Sequence, residues 1–359
     1  MILIKENFKG TVNFSSYDQV VGKIKEFDDY EIIGQDESEL YDMYAIHLGN
    51  KEKPKILIDC GMHGTEWHPI MYTLEYFKRL SNDELVNKEL TNRLLNDFHL
   101  ILVPVMNPWG FDRTTRREPK SRNQGRRNSN DVDLNGDFDD FTQQESKNMK
   151  ILIDDLEPFA YLNCHMQTPD MNNNQGNGLI VGNGQGATNY VKEDWIENLK
   201  HYTKEQVTNW LGYNNLKRGL SRRYVRDKYN PYTPNTLSYI TEIVRPQENE
   251  NGTINAPLSE DQIFEFGMYN THLFFITSIK YYDEKVNNIP YENDELIPEI
   301  LLTEKIVMEH KTIYFDRNDE GFVMKVTEEY DETCDNMIIE TTFKRDSNGY
   351  VENFIRSKK

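Results

Sequence analysis

His63 and Glu66 stand three residues apart in the stretch Gly61-Met62-His63-Gly64-Thr65-Glu66-Trp67-His68-Pro69. An imidazole nitrogen and a carboxylate oxygen at that spacing can reach one cation, but a site needs a third ligand from elsewhere. His165 is the candidate. It follows the apolar run Phe159–Cys164, much as His63 follows the apolar run Lys55–Cys60. Short, bounded apolar runs read as buried strands, and parallel strands bring their C-terminal ends to one edge of a sheet. That edge can collect His63, Glu66 and His165. Two histidines and a carboxylate, with a water in the fourth position, make a catalytic set for one Zn2+ ion.

Glu242 adds a titratable group, within Thr241-Glu242-Ile243-Val244. A carboxylate among apolar residues in a buried strand is costly without a partner or a task. As a general base it would take a proton from metal-activated water and pass it to a leaving amine. An ion pair with Arg245 or a loop arginine is the structural alternative.

The elements that must position these groups follow from periodicity. Helical spacing covers Tyr17–Phe27, and Met43–Leu48 alternates like a strand. After the strand Ile56–Cys60, Pro69 opens a helix to Leu80, with Ile70, Leu74 and Phe77 on one face. A helix over Asp83–Leu95 and a continuous apolar strand, Phe98–Val105, come next. His99 in that strand reads as a hydrogen-bonded interior or edge histidine. A polar loop over 107–137 precedes a helix over Thr142–Leu156, and an Asn/Gly-rich loop over 167–189 precedes a helix over Asp194–Trp210. The basic loop Arg218–Tyr232, the strand Leu237–Ile243 and a helix over Glu260–Tyr281 close the region. This alternation predicts an α/β fold, with a mixed, mostly parallel central sheet and helices on both faces. From Asn287 the runs shorten: Thr312–Phe315, Phe322–Val326, Met337–Thr342 and Tyr350–Ile355 alternate with turns. The expected division is a catalytic domain, 1–286, and a small antiparallel β module, 287–359, which invites a docking role toward a protein partner.

A formal net charge of −19 over 359 residues repels nucleic acid and anionic lipid. Cys60, Cys164 and Cys334 have no paired spacing, which argues for small buried thiols rather than a disulfide framework or a cysteine zinc cluster. No run approaches the ~20 apolar residues that span a bilayer. The start of the chain lacks the apolar core of a signal peptide, so a soluble cytoplasmic protein is expected, with release by lysis or association with a virion as alternatives.

The set His63-x-x-Glu66, His165 and Glu242 resembles the zinc metallocarboxypeptidases, the relatives of pancreatic carboxypeptidase. Asn107-Pro108-Trp109-Gly110 is similar to that family's Asn-Pro-Asp-Gly turn. Arg126-Arg127-Asn128-Ser129-Asn130-Asp131-Val132-Asp133-Leu134-Asn135 is similar to its Arg-x-Asn-x-x-Gly-Val-Asp-Leu-Asn segment. The resemblance implies zinc on His63, Glu66 and His165, with Glu242 as base and acid. It implies that Arg126 stabilises the oxyanion, Asp133 fixes the His63 tautomer and Asn135 contacts the substrate's terminal carboxylate. The capping tyrosine would come from the basic loop, where Tyr224, Tyr229 and Tyr232 lie. One departure stands out: Gly136 replaces the arginine that grips a C-terminal carboxylate, and Asp137 beside it would repel one. Arg218, Arg222, Arg223, Arg226 and Arg245 are the candidates to replace it. The expected activity is hydrolysis of a peptide-type amide. An N-acyl amino acid deacylase or cell-wall peptide hydrolase is the nearest alternative, so the substrate is a peptide or an acylated amino acid. A catalytically inert structural or binding protein, such as a phage virion component, is the alternative of another class.

Overall fold

The computed structural model describes residues 16–85, 88–113, 125–167, 178–182, 219–226, 236–244, 247–248, 254–255, 259–286, 305–308, 311–317, 323–330, 338–345 and 351–358. Residues 10–292 form one compact unit and residues 293–359 belong to a second. In the larger unit, α1 (Tyr17–Ile24) leads to β1 (Tyr30–Gln35), β2 (Asp42–Gly49) and β3 (Lys55–Cys60). Then come α2 (His68–Ser81), α3 (Lys88–Asp97), β4 (His99–Val103), the short α4 (Pro108–Arg113), α5 (Gln144–Leu156), β5 (Ala160–Gln167) and β6 (Gly178–Gly182). The six-residue α6 (Ser221–Arg226), β7 (Leu237–Val244), the two-residue strands β8 (Gln247–Glu248) and β9 (Ile254–Asn255), and α7 (Glu260–Tyr281) complete it.

Seven strands form one sheet in the order β1-β2-β4-β3-β5-β7-β6. The four central strands β4, β3, β5 and β7 run parallel, and β1, β2 and β6 are antiparallel to their neighbours. This is the mixed, mostly parallel sheet that the alternation of elements predicts. A sheet covered on both faces needs strands apolar on both sides. Ile56–Cys60 and every residue of β4 are accordingly buried. On one face Leu57, Ile101, Val103 and Tyr161 pack with Met149, Leu152 and Ile153 of α5. On the other, Tyr239 meets Phe274 of α7, and Tyr76 of α2 stacks on Phe275. Each such side chain contributes about 1.5–3 kcal/mol on burial. Buried residues surround α7 on all sides, as expected of a helix through a core, and Ser259 with Gln262 closes its N-terminus in a capping box. Among the described residues no helix is long and apolar enough to cross a membrane.

Several expectations need correction. His165 lies within β5, two residues short of its end, rather than after the strand. The strand β6 occupies part of the Asn/Gly-rich segment expected to be loop; its alternation, Gly-Leu-Ile-Val-Gly, is too short to stand out. The basic loop contains the helix α6, and the polar segment after β4 starts with α4. The helix expected over Asp194–Trp210 lies outside the described residues. Cys60 and Cys164 are register partners on β3 and β5, both buried and free. His99 is buried with its Nε2 3.0 Å from His47 Nδ1, and burial pushes its pKa down to about 4. In the smaller unit, β10 (Lys305–Met308), β11 (Lys311–Arg317), β12 (Val323–Tyr330), β13 (Ile338–Arg345) and β14 (Val351–Lys358) form an antiparallel sheet in sequence order.

Glu145, in the first turn of α5, is fully buried, and Asn128 Nδ2 donates to its Oε2 at 3.1 Å. Burial, with Asp36 nearby, pushes its pKa from 4.5 up to about 7. Between those values the folded chain holds a proton that the unfolded chain has released. Stability from this group is therefore complete below pH 4.5 and is lost as the pH rises through 7. Glu145→Gln keeps the acceptor for Asn128 and removes the titration. In chemical denaturation the variant should gain about 3 kcal/mol over the parent at pH 8 and less than about 1 kcal/mol at pH 5. Parallel pH profiles for the two proteins would refute this.

Candidate active site

The three ligand candidates converge at the C-terminal edge of the parallel strands. His63 Nδ1 is 2.9 Å from Glu66 Oε1, and His165 Nδ1 is 2.8 Å from Glu66 Oε2. The two Nδ1 atoms are 3.2 Å apart, and all three side chains are at most 3% exposed. Among the described residues this is the cluster of His, Cys, Asp and Glu side chains that could hold a metal ion. Tetrahedral ligands about 2.0–2.2 Å from zinc lie roughly 3.3 Å from one another, so the donor set fits a divalent cation.

Local sequence explains the placement. Past the ends of β3 and β4 the backbones stay paired, Met106 N–H to Cys60 O and Asn107 N–H to Gly61 O, each at 2.9 Å. The His63 loop is thereby laid against the Asn107–Gly110 turn. A Cβ on Gly64 would sit 2.1 Å from the Gly110 carbonyl carbon, so backbone touches backbone there. Asn107 Oδ1 accepts the Gly110 N–H at 2.8 Å, and its Nδ2 donates to the Arg126 carbonyl at 3.3 Å. Glu66 Oε2 also accepts the Met166 N–H at 3.1 Å, tying the loop to β5. The charges of His63 and His165 overcome the opposing effect of burial and hold the Glu66 carboxyl well below its usual range.

Asp133 and Arg126 flank the cluster. Asp133 Oδ1 lies 3.1 Å from His63 Nε2, and Oδ2 accepts from Arg126 Nε at 3.1 Å and Nη2 at 3.0 Å. His63 and Arg126 hold the Asp133 carboxyl far below the carboxylate range, although burial works the other way. Arg126 Nη1 points inward, 3.8 Å from Glu66 Oε1. The segment between them turns on Asn128, which is buried. Its Oδ1 accepts the N–H groups of Asn130 and Val132, and its Nδ2 reaches Gln143 and Glu145. Asn135 is half-buried, and its backbone N–H donates to Asp133 Oδ1 at 3.1 Å.

Glu242 is the register partner of His165 on β7, so the two side chains leave the same face side by side. Burial pushes its pKa up to about 7; Glu66 adds to the rise, while His165, Arg222 and Arg126 oppose it. Among the described residues Arg222 and Arg126 are the arginines that act on it, and Arg245 lies outside the described residues.

Contrary to expectation, Asp137 is not free beside Gly136 to repel a carboxylate. Its carboxylate accepts from Thr142 N and Gln143 N at 3.0 and 2.9 Å, and from the hydroxyls of Thr142 and Ser146, where it closes the start of α5. Tyr224 does not reach the site either: its hydroxyl donates to Asp154 at 2.7 Å and its ring packs on Phe138 and Phe141. Tyr229 and Tyr232 lie outside the described residues. Asn128, Asn163 and Asp59 were missed by sequence reasoning. Asn128 lay inside the quoted segment. The buried polar residues in apolar strands, Asp59 and Asn163, were the signal for the other two.

Known proteins resemble this chain in sequence and in fold. A sequence model of the family described as Zinc carboxypeptidase matches residues 30–157. Carboxypeptidase E of Caenorhabditis elegans is 37% identical over 90 residues, a stretch that spans 24% of this chain and 19% of that protein. A metallo-carboxypeptidase from Burkholderia cenocepacia superposes with a TM-score of 0.54 at 17% identity, over 73% of this chain and 67% of its own. Carboxypeptidase A from Helicoverpa armigera gives 0.55 at 14% identity, over 76% and 74%. The chain therefore resembles the zinc carboxypeptidases in sequence over residues 30–157, and its fold is that of the metallocarboxypeptidase structures.

Proposed function

We propose that the larger unit is a zinc-dependent hydrolase that cleaves a peptide-type amide bond. One observation carries this reading: the donor atoms of His63, Glu66 and His165 lie 2.8–3.2 Å apart, beside a carboxylate on the adjoining strand. Zn2+ held by those three residues would polarise the scissile carbonyl and acidify a water near neutral pH. Glu242 removes a proton from the attacking water and delivers it to the leaving amine. A base poised near 7 does both at physiological pH. Arg126, aimed by its two bonds to Asp133, stabilises the negative charge that grows on the carbonyl oxygen. Asp133 accepts the Nε2 proton of His63 and so keeps the Nδ1 lone pair on the side of Glu66 and His165, where it would hold the metal. Asn135 is assigned to the end of the substrate, with Tyr229 and Tyr232 as the candidates to cap it.

Gly136 favours a second reading of the substrate. It is exposed, and a Cβ there would meet nothing within 4 Å, so no side chain at this position binds a terminal carboxylate. Cleavage of an amide with no free carboxylate beside it, as in a cell-wall peptide, needs no such grip. An inert binding protein is disfavoured by the complete set of costly buried polar groups.

The purified protein should carry one zinc per chain. Glu242→Gln should keep the metal and lose about 10²–10⁴-fold in rate. Zinc in the parent with no hydrolysis across a peptide library would overturn the enzyme reading. In thermal unfolding, zinc at a hundred times its Kd should add about 2.7 kcal/mol, and Glu66→Ala should abolish the increment. Free-acid and C-terminally amidated versions of one peptide should be cleaved within about tenfold of each other, a gap of 1.4 kcal/mol at most. A hundredfold preference for the free acid would remove the second reading.

A further inference from the structure

Behind the cluster a line of buried polar groups runs down β5 and β3. His165 Nε2 is 2.6 Å from Asn163 Oδ1. Asn163 Nδ2 donates to Asp59 Oδ1, and the Tyr161 hydroxyl donates to Asp59 Oδ2. Tyr161 Oη in turn lies 2.9 Å from Ser221 Oγ at the start of α6. All five residues are at most 1% exposed. Tyr161, Asn163 and His165 alternate along β5 and so share one face, and Asp59 is the register partner of Asn163.

An asparagine amide can face its neighbours either way, and what the other end meets decides which way. A carboxylate only accepts. With Asp59 on one side, Asn163 has to present its NH2 there, which leaves its oxygen toward His165. That oxygen accepts only if Nε2 carries the imidazole proton. A neutral imidazole protonated at Nε2 has its lone pair on Nδ1, the atom that faces Glu66 and His63. The sign of one buried charge is thus carried through an amide to the metal-facing nitrogen of a residue two strand positions further on. For His63 a carboxylate does this directly, through Asp133; for His165 the carboxylate acts one residue removed.

We propose that Asp59 and Asn163 are positioning residues that fix the tautomer and ring orientation of His165 for metal binding, an inference that rests on the zinc reading above. A line of groups that only filled the core would affect stability and leave zinc affinity alone. The test compares zinc affinity by chelator competition with stability by thermal unfolding in the full-length chain. Asp59→Asn lets the amide of residue 163 turn over, and should weaken zinc about 10–100-fold. Tyr161→Phe removes a donor from the same carboxylate but keeps its charge, so it should lower stability and leave zinc affinity within about threefold, less than 1 kcal/mol. Asn163→Ala removes the acceptor for His165 and should weaken zinc as Asp59→Asn does, which decides the matter if the latter fails to fold. Parent-like zinc affinity in Asp59→Asn or Asn163→Ala, or an equal loss in Tyr161→Phe, would overturn the proposal while the zinc reading stands. A parent chain that binds no zinc would overturn both.

Discussion

Two imidazole nitrogens and a carboxylate, turned inward to within 3.2 Å of one another and shielded from water, are not a spontaneous arrangement. Lone pairs that face each other repel, and a carboxylate withdrawn from water costs several kcal/mol before any compensation. The cluster persists because each member is held from behind by a different part of the chain. Glu66 is held by the Met166 N–H, His63 by Asp133, and His165 by Asn163. The first two supports have a direction fixed by chemistry, since a backbone N–H can only donate and a carboxylate can only accept, and the Asn163 amide takes its direction from the Asp59 carboxylate that its NH2 meets. On the proposed reading the outward nitrogens are the donors, and the inward ones would be left to a cation.

Those supports exist only because the register is right. Side chains alternate along a strand, so a slip of one residue between β5 and its neighbours would send His165, Asn163 and Tyr161 to the face covered by α2 and α7. The same slip would separate Glu242 from His165, its register partner. The apolar residues that interleave with them, Leu162 and Cys164 on β5, are buried on the opposite face and have no place in the polar corner. Ordinary hydrophobic burial thus fixes the register, and the polar groups inherit their positions from it.

That dependence explains what the chain made legible. Strands β3, β4 and β7 and helices α2, α5 and α7 were visible because their apolar patterns are long or continuous. The His63–Glu66 pair was visible because a turn brings residues three apart together without help from the rest of the fold. His165 needed the parallel arrangement as an extra premise, and its position inside β5 rather than beyond it was lost because the polar residue looked like an end. Asp137 was misread because an acidic residue next to the cleft segment gives no sign, in sequence, of which way it points. Its four donors come from residues five to nine positions later, at the head of α5. Asp59 escaped notice for a related reason. Its meaning depends on a residue more than a hundred positions away.

The turn around Gly136 shows how charge near the catalytic corner is distributed. A Cβ on Gly219 would lie 2.0 Å from the Gly136 carbonyl oxygen, and the Phe138 N–H donates to the Gly219 carbonyl at 2.9 Å. The segment leading into α6 is therefore seated on the backbone of residues 136–138. A Cβ at 136 itself would enter open space, so packing does not demand glycine there. What α6 brings with it is Arg222, 6% exposed, with its carbonyl accepting from Ser238 Oγ on the face that bears Glu242. Among the described residues, Arg222 and Arg126 are the guanidinium charges that act on Glu242. Among the described residues, the positive charge beside Glu242 thus comes from α6 and from the Asn128-centred loop. The turn between them supplies a backbone platform, and the charge of its Asp137 is turned toward the head of α5.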